Sequence, residues 1–157
     1  MAFVELDEDI FDTPCQTLAV TTNCYGVMGA GIAKAFRDKV PGLYRHYRGL
    51  HAQKKLGINA LFIYPWSGTD KQVLIFPTKY NPRENSSLTE VTHNLKLLGQ
   101  TYESLGITSL AIPPVGCGLG NLDYLVDIRP VMEKVFGPLP IEVRCVFGGT
   151  RKKHLGE

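Results

Sequence analysis

The chain has 157 residues, 44% of them apolar and 20% charged, with a formal net charge of +2. That length and balance fit one soluble domain with its own hydrophobic core, and they exclude a disordered chain or a disulfide scaffold. A charge so close to neutral neither demands nor forbids a nucleic-acid partner, and the apolar runs are too short to cross a bilayer.

Two strands open the chain, AFVEL over 2–6 and QTLAVTT over 16–22, the second running to Asn23. The segment NCYGVMGAGIAKAF then places Gly26, Gly29 and Gly31 within six residues before an amphipathic pattern of Ile32, Ala33, Phe36 and Val40, stopped by Pro41-Gly42. GLYRHYRGLHAQKK predicts a short second helix with Leu43, Tyr47 and Leu50 on one face. ALFIYP and QVLIFPT flank the turn residues SGTD and predict a hairpin-like pair. SLTEVTHNLKLLGQTYESLG predicts the longest helix, opened by a capping box of Ser87 with Glu90 and stopped by Gly106. TSLAIP, a buried-type strand, leads into a second glycine cluster, GCGLG over 116–120. A last helix over roughly 127–136 must hold Pro130 in its first turn, and IEVRCVF closes the chain as a strand. The Lys- and Arg-rich stretch 34–55 reads as a solvated face, and RKK at 151–153 as a charged tail, in preference to a phosphate-tracking patch.

Six strands alternating with helices predict a single domain over 1–157, with helices on both faces of a central mixed sheet. Ligands in such folds gather at the C-terminal ends of strands, and both glycine clusters lie there. Glycine lets backbone N–H groups approach an anion beside a helix start, although a tight turn alone explains one such loop equally well. The first cluster spells G-x-x-G-x-G, which is neither the dinucleotide fingerprint nor a P-loop. The cysteines, Cys15, Cys24, Cys117 and Cys145, form no C-x-x-C pair, and the first residues carry no leader pattern, so a reduced cytoplasmic setting is expected. The four histidines show no ligand spacing, and no metal or cofactor is expected.

The pieces DIF at 9–11, TNCYGVMGAGIAKAF at 22–36, FPTK at 76–79 and PPVGCGLGNLDY at 113–124 resemble, in order and interval, the macrodomain family, whose members bind ADP-ribose. They are most similar to the branch that holds the DarG-type DNA ADP-ribosyl glycohydrolases, which act as antitoxins, and the terminal ADP-ribose protein glycohydrolase. The resemblance implies a three-layer α/β/α macrodomain fold with about six strands. It also implies residue roles. Asp9 would accept a hydrogen bond from the adenine amino group, with the Ile10 main chain at the ring edge, and Asn23 would touch the distal ribose. Thr22, Val27, Met28, Gly29, Gly31, Ile32 and Thr78 would line the diphosphate and distal ribose. Pro114, Val115, Gly116, Cys117, Gly118, Leu119 and Gly120 would close over the pyrophosphate from the other side. On residue chemistry alone, Asp9 serves equally as a turn cap and Asn23 as a bridge from strand to loop.

A lone lysine after a strand is ordinarily a solvated charge. Lys79, however, matches the lysine that this branch uses in catalysis. A partly desolvated amine can attack or deprotonate at an anomeric carbon, where bond breaking develops oxocarbenium character. The protein glycohydrolase of the branch places an Asp directly after GCGL, where this chain has Gly120, so the loop is nearer the DarG type. The expected function is therefore hydrolytic removal of ADP-ribose from a modified macromolecule, a nucleobase in DNA foremost, through Lys79 with help from Asn23, in a monomer with no membrane contact. The alternatives are a non-catalytic ADP-ribose reader, an ADP-ribose 1″-phosphate phosphatase, a deacylase of ADP-ribosylated glutamate, and a scaffold whose pocket no longer works. In the loop YNPREN over 80–85, Tyr80 could stack on a base and Arg83 could meet a phosphate, against the plainer reading of a solvated loop.

Overall fold

The computed structural model describes residues 3–156; Ala2, read from sequence as the start of the first strand, lies outside them. Six strands form one sheet: β1 (Phe3–Leu6), β2 (Thr17–Asn23), β3 (Phe62–Pro65), β4 (Gln72–Lys79), β5 (Ser109–Ile112) and β6 (Glu142–Val146). Their spatial order is β1-β6-β5-β2-β4-β3, parallel throughout except for β3, which pairs antiparallel with β4. The mixed sheet of six strands is the one expected.

Both faces of this sheet are covered, which is why β2 and β4 read as nearly unbroken apolar runs. Side chains alternate across a strand. Leu18, Val20, Val73 and Ile75 point to the face where α1 (Gly31–Lys39) and α2 (Leu43–Ala52) bury Phe36, Leu43, Tyr47 and Leu50. Ala19, Leu74 and Phe76 point the other way, onto Val91, Leu95 and Leu98 of α3 (Leu88–Thr101), Met132 and Phe136 of α4 (Arg129–Phe136), and Leu155 of α5 (Arg151–Leu155). No helix among the described residues is long and apolar enough to cross a membrane.

Several element boundaries differ from the sequence reading; α3, read as running to Gly106, ends at Thr101 and reaches that glycine through turns. The second helix stops at Ala52, and Lys54 adopts a left-handed φ of 58° that no helix continues through. The last helix, expected over roughly 127–136, is α4, with Pro130 in its first turn as required; it starts two residues later, behind a π turn (Tyr124–Ile128) that Asp123 caps through the Val126 N–H at 3.0 Å. The RKK segment is no free tail but the body of α5, held by buried Leu155 and by the His154 ring, 5.8 Å from that of Phe147. The π turn is tied to β1, because Glu5 accepts from the Tyr124 hydroxyl and from Arg129 Nε at 2.7 Å. The Arg129 guanidinium holds the Glu5 carboxyl below the usual carboxylate range.

Candidate active site

Strands β2 and β4 end together. Their parallel register shifts between Thr22 and Asn23, so that Asn23 pairs with Lys79, and just beyond it the Cys24 N–H donates to the Tyr80 carbonyl at 2.9 Å. The two residues expected to carry catalysis are thus neighbours at the C-terminal edge of the sheet. Lys79 is half-buried, and among the described residues its ammonium has no hydrogen bond or ion pair.

Asn23 is buried, and most of its amide is spent within the protein. Its Nδ2 donates to the Val27 carbonyl at 2.8 Å, while its Oδ1 accepts from the Tyr25 N–H at 2.9 Å and from the Tyr47 hydroxyl at 3.1 Å. The Tyr47 hydroxyl also reaches the Asn23 carbonyl at 2.5 Å, and burial pushes that phenol far above its ordinary range. Asn23 is therefore the bridge from strand to loop, with one amide hydrogen left over for a ligand. Removing the hydroxyl takes away the one hydrogen offered to the Asn23 carbonyl and Oδ1, while Oδ1 keeps the Tyr25 N–H. A Tyr47→Phe variant is expected to lose about 1–2 kcal/mol in urea unfolding, and the amides of the 24–31 loop should exchange faster.

That loop delivers the first glycines to the site. Gly26 has φ +75°, and a Cβ there would lie 2.9 Å from the Cβ of His51, so only glycine fits. Gly31, at φ +57°, opens α1 behind Ala30, which offers no side-chain cap. The first N–H groups of α1 are therefore left for solvent or an anion. The second loop follows β5 and closes on itself, with Cys117 N–H to the Pro114 carbonyl at 3.1 Å and Leu122 N–H to the Gly116 carbonyl at 2.8 Å. Gly120 is wedged inside it: a Cβ there would meet the Gly116 carbonyl oxygen at 2.6 Å and Ser86 Oγ at 2.2 Å. The loops approach one another, since a Cβ on Gly31 would stand 3.8 Å from a Leu119 methyl.

Between them runs a cleft of about 690 Å³. Of the residues expected to bind ligand, Asp9, Ile10, Thr22, Asn23, Val27, Gly29, Gly31, Ile32, Thr78, Lys79, Pro114, Gly116, Gly118, Leu119 and Gly120 all line it. Met28, Val115 and Cys117 do not; their side chains are buried in the core, and burial pushes the Cys117 thiol up to about 12. Asp9 also does what the plainer reading assigned it, its Oδ1 accepting from the Phe11 N–H at 2.9 Å as the cap of a short 3-10 turn. Its second oxygen has no partner among the described residues, and the residue is exposed.

One wall was missed from sequence. Val146, Phe147, Gly148, Thr150, Lys153 and His154 line the cleft from the end of β6 and from α5. Burial, with Lys153 beside it, holds the His154 imidazole below its usual range. The signal was present: Gly148 and Gly149, at φ +55° and +91°, form a third glycine pair directly after a strand. Along the strand order the cleft therefore runs from Asp9 and Phe147 beyond β1 and β6, past the glycine loop of β5, to Asn23 and Lys79 beyond β2 and β4. Four strand spacings make that path about 20 Å long.

The sequence model of the Macro domain family matches residues 19–126. A DNA ADP-ribosyl glycohydrolase of Mycobacterium tuberculosis is 32% identical over 148 residues, covering 91% of this chain and 42% of that protein. The macrodomain of Thermus aquaticus DarG superposes with a TM-score of 0.84 at 27% identity, over 92% of this chain and 97% of that one. Thermosipho africanus DarTG, solved in complex with ADP-ribose, superposes with a TM-score of 0.83 at 29% identity, over 88% of this chain and 39% of that one. The chain thus spans less than half the length of the DNA ADP-ribosyl glycohydrolases that it matches in sequence.

Proposed function

Since the chain belongs to the macrodomain family, we propose that it hydrolyses the bond joining ADP-ribose to a modified macromolecule, a nucleobase in DNA, with Lys79 as the catalytic amine. The observation that carries this reading is the pairing of Asn23 with Lys79 at the far end of a cleft whose middle is walled by two glycine loops. The polarity of the cleft follows the polarity of the ligand. The Asp9 carboxylate and the Phe147 ring suit adenine, a hydrogen-bond donor with flat faces. The open N–H groups of α1 and the Gly116–Gly120 loop suit the diphosphate. C1″ of the distal ribose then falls beside Lys79, which acts there as nucleophile or base. The C1″–N bond breaks, its electron pair and a proton go to the departing base, and water supplies the hydroxyl that ends on C1″.

The base is favoured over a carboxyl-linked substrate because the position after GCGL is Gly120, which leaves no acid there to act with the lysine. Such an enzyme would serve as the antitoxin to a transferase that writes the same mark. The test offers the protein ADP-ribosylated thymidine DNA, ADP-ribosylated guanosine DNA, glutamyl-ADP-ribosylated protein and ADP-ribose 1″-phosphate side by side. Release of ADP-ribose from DNA alone is expected. Binding of ADP-ribose with no turnover of any substrate would make the protein a reader instead.

A further inference from the structure

We infer that the protein also grips the single DNA strand that carries the modified base, along an aromatic and basic track leading from the mouth of the cleft onto α2. This rests on the DNA reading above.

The aromatic part sits at the catalytic end. Tyr25 follows two residues after Asn23, and Tyr80 directly follows Lys79. Their rings meet edge to face with centroids 5.8 Å apart, and they stay 44% and 59% exposed. Neither ring is needed by the core. An exposed ring face beside the point where the base must emerge is what stacking on a nucleobase requires.

The basic part adjoins it. Between Asp38 and Asp70 the chain has no acidic residue, yet it carries Lys39, Arg45, Arg48, Lys54 and Lys55. Arg45, Arg48, Lys54 and Lys55 are exposed, and among the described residues none of the four has an ion pair. The end of α2 lies beside the site. Tyr47 of α2 holds Asn23, and His51 lies against Gly26, so the flank of α2 bearing His51 abuts the loop that presents Tyr25. Arg48 lies one turn back on that flank, and Lys54 and Lys55 follow just past its end. Free cations without acidic neighbours, next to stacking rings, match a chain of phosphates bearing bases. An ADP-ribosylated peptide offers neither. A single strand is favoured over a duplex, whose base would first have to leave its stack.

The test compares affinity, by fluorescence anisotropy in a Lys79→Ala background, for ADP-ribosyl thymidine and for a single strand of about 12 nucleotides carrying the same modified base. The strand is expected to bind about tenfold or more tightly at low salt. Its log affinity should fall against log salt with a slope steeper by about 2 than that of the nucleoside, for three phosphate contacts. Changing Arg48, Lys54 and Lys55 together to Ser should remove both differences and leave nucleoside affinity unchanged. Tyr80→Ala should weaken both ligands by about tenfold. Equal affinities with equal salt slopes would overturn the track, as would a triple variant that keeps the full slope or a duplex that binds as well as the single strand. Turnover by the unmodified protein is read separately. Strand preference without turnover would defeat the glycohydrolase reading and spare the track; turnover without strand preference would do the reverse.

Discussion

Replacing Lys79 by alanine is expected to lower release of ADP-ribose from DNA by about three orders of magnitude, within the range lost with a nucleophile or positioned base. The affinity for free ADP-ribose should change less than about threefold. The separation follows from the geometry: in the proposed mode the glycine loops and the Asp9 end would contact most of the ligand, whereas Lys79 stands at one end of the cleft, unpaired among the described residues. A Lys79→Arg variant should be nearly as inactive, because a guanidinium keeps its proton and cannot act as an amine nucleophile. Single-turnover release and calorimetric binding, measured on the same preparations, check the pair. Full activity in Lys79→Ala would move the chemistry to another residue.

Gly120→Asp is expected to injure the protein rather than supply the acid found at this position in the protein glycohydrolases. Ser86 Oγ, 2.2 Å from the added Cβ, could rotate away, but the Gly116 carbonyl at 2.6 Å is backbone and is already engaged with the Leu122 N–H. The loop must open to make room. Overpacking of this kind costs about 1–3 kcal/mol, which lowers the melting temperature by roughly 3–10 °C for a chain of this size. Displacing the wall beside the diphosphate should weaken ADP-ribose binding by about thirtyfold or more, equivalent to about 2 kcal/mol. No release from glutamyl substrates should appear. Gly118→Ala is the control, since nothing lies within 4 Å of a Cβ there and stability should stay within about 0.5 kcal/mol. A Gly120→Asp protein that melts and binds normally would show that the loop is softer than its contacts imply.

The parts of the fold written in local periodicity were legible. The apolar runs of β2 and β4, the three- and four-residue spacing of α3 and the Ser87 cap each depend on residues close in sequence, and each formed as expected. The cleft at the strand ends was legible to the same extent, because a glycine cluster after a strand is also a local signal. What escaped depends on distant partners. That Asn23 bridges strand to loop was one reading of its residue chemistry, carried by the nearby Tyr25 and Val27; its further tie to Tyr47, 24 residues away, is what no local pattern reports. Helix α5 has five residues and little amphipathic signal, and it holds its place through Leu155 in the core and through the surface that Tyr124 and Phe147 supply for His154. Met28, Val115 and Cys117 sit in loops that looked uniformly ligand-facing. Their side chains instead fill the core beneath, while glycines beside them face the cleft.

The most direct measurement is a crystal structure with ADP-ribose bound. The distal ribose should lie over Asn23, its diphosphate between the two glycine loops, and Lys79 Nζ should stand within about 3–4 Å of C1″, close enough to react. A ligand seated in the same cleft with C1″ at the Asp9 end, or with the lysine amine turned out to solvent, would contradict the assignment of Lys79.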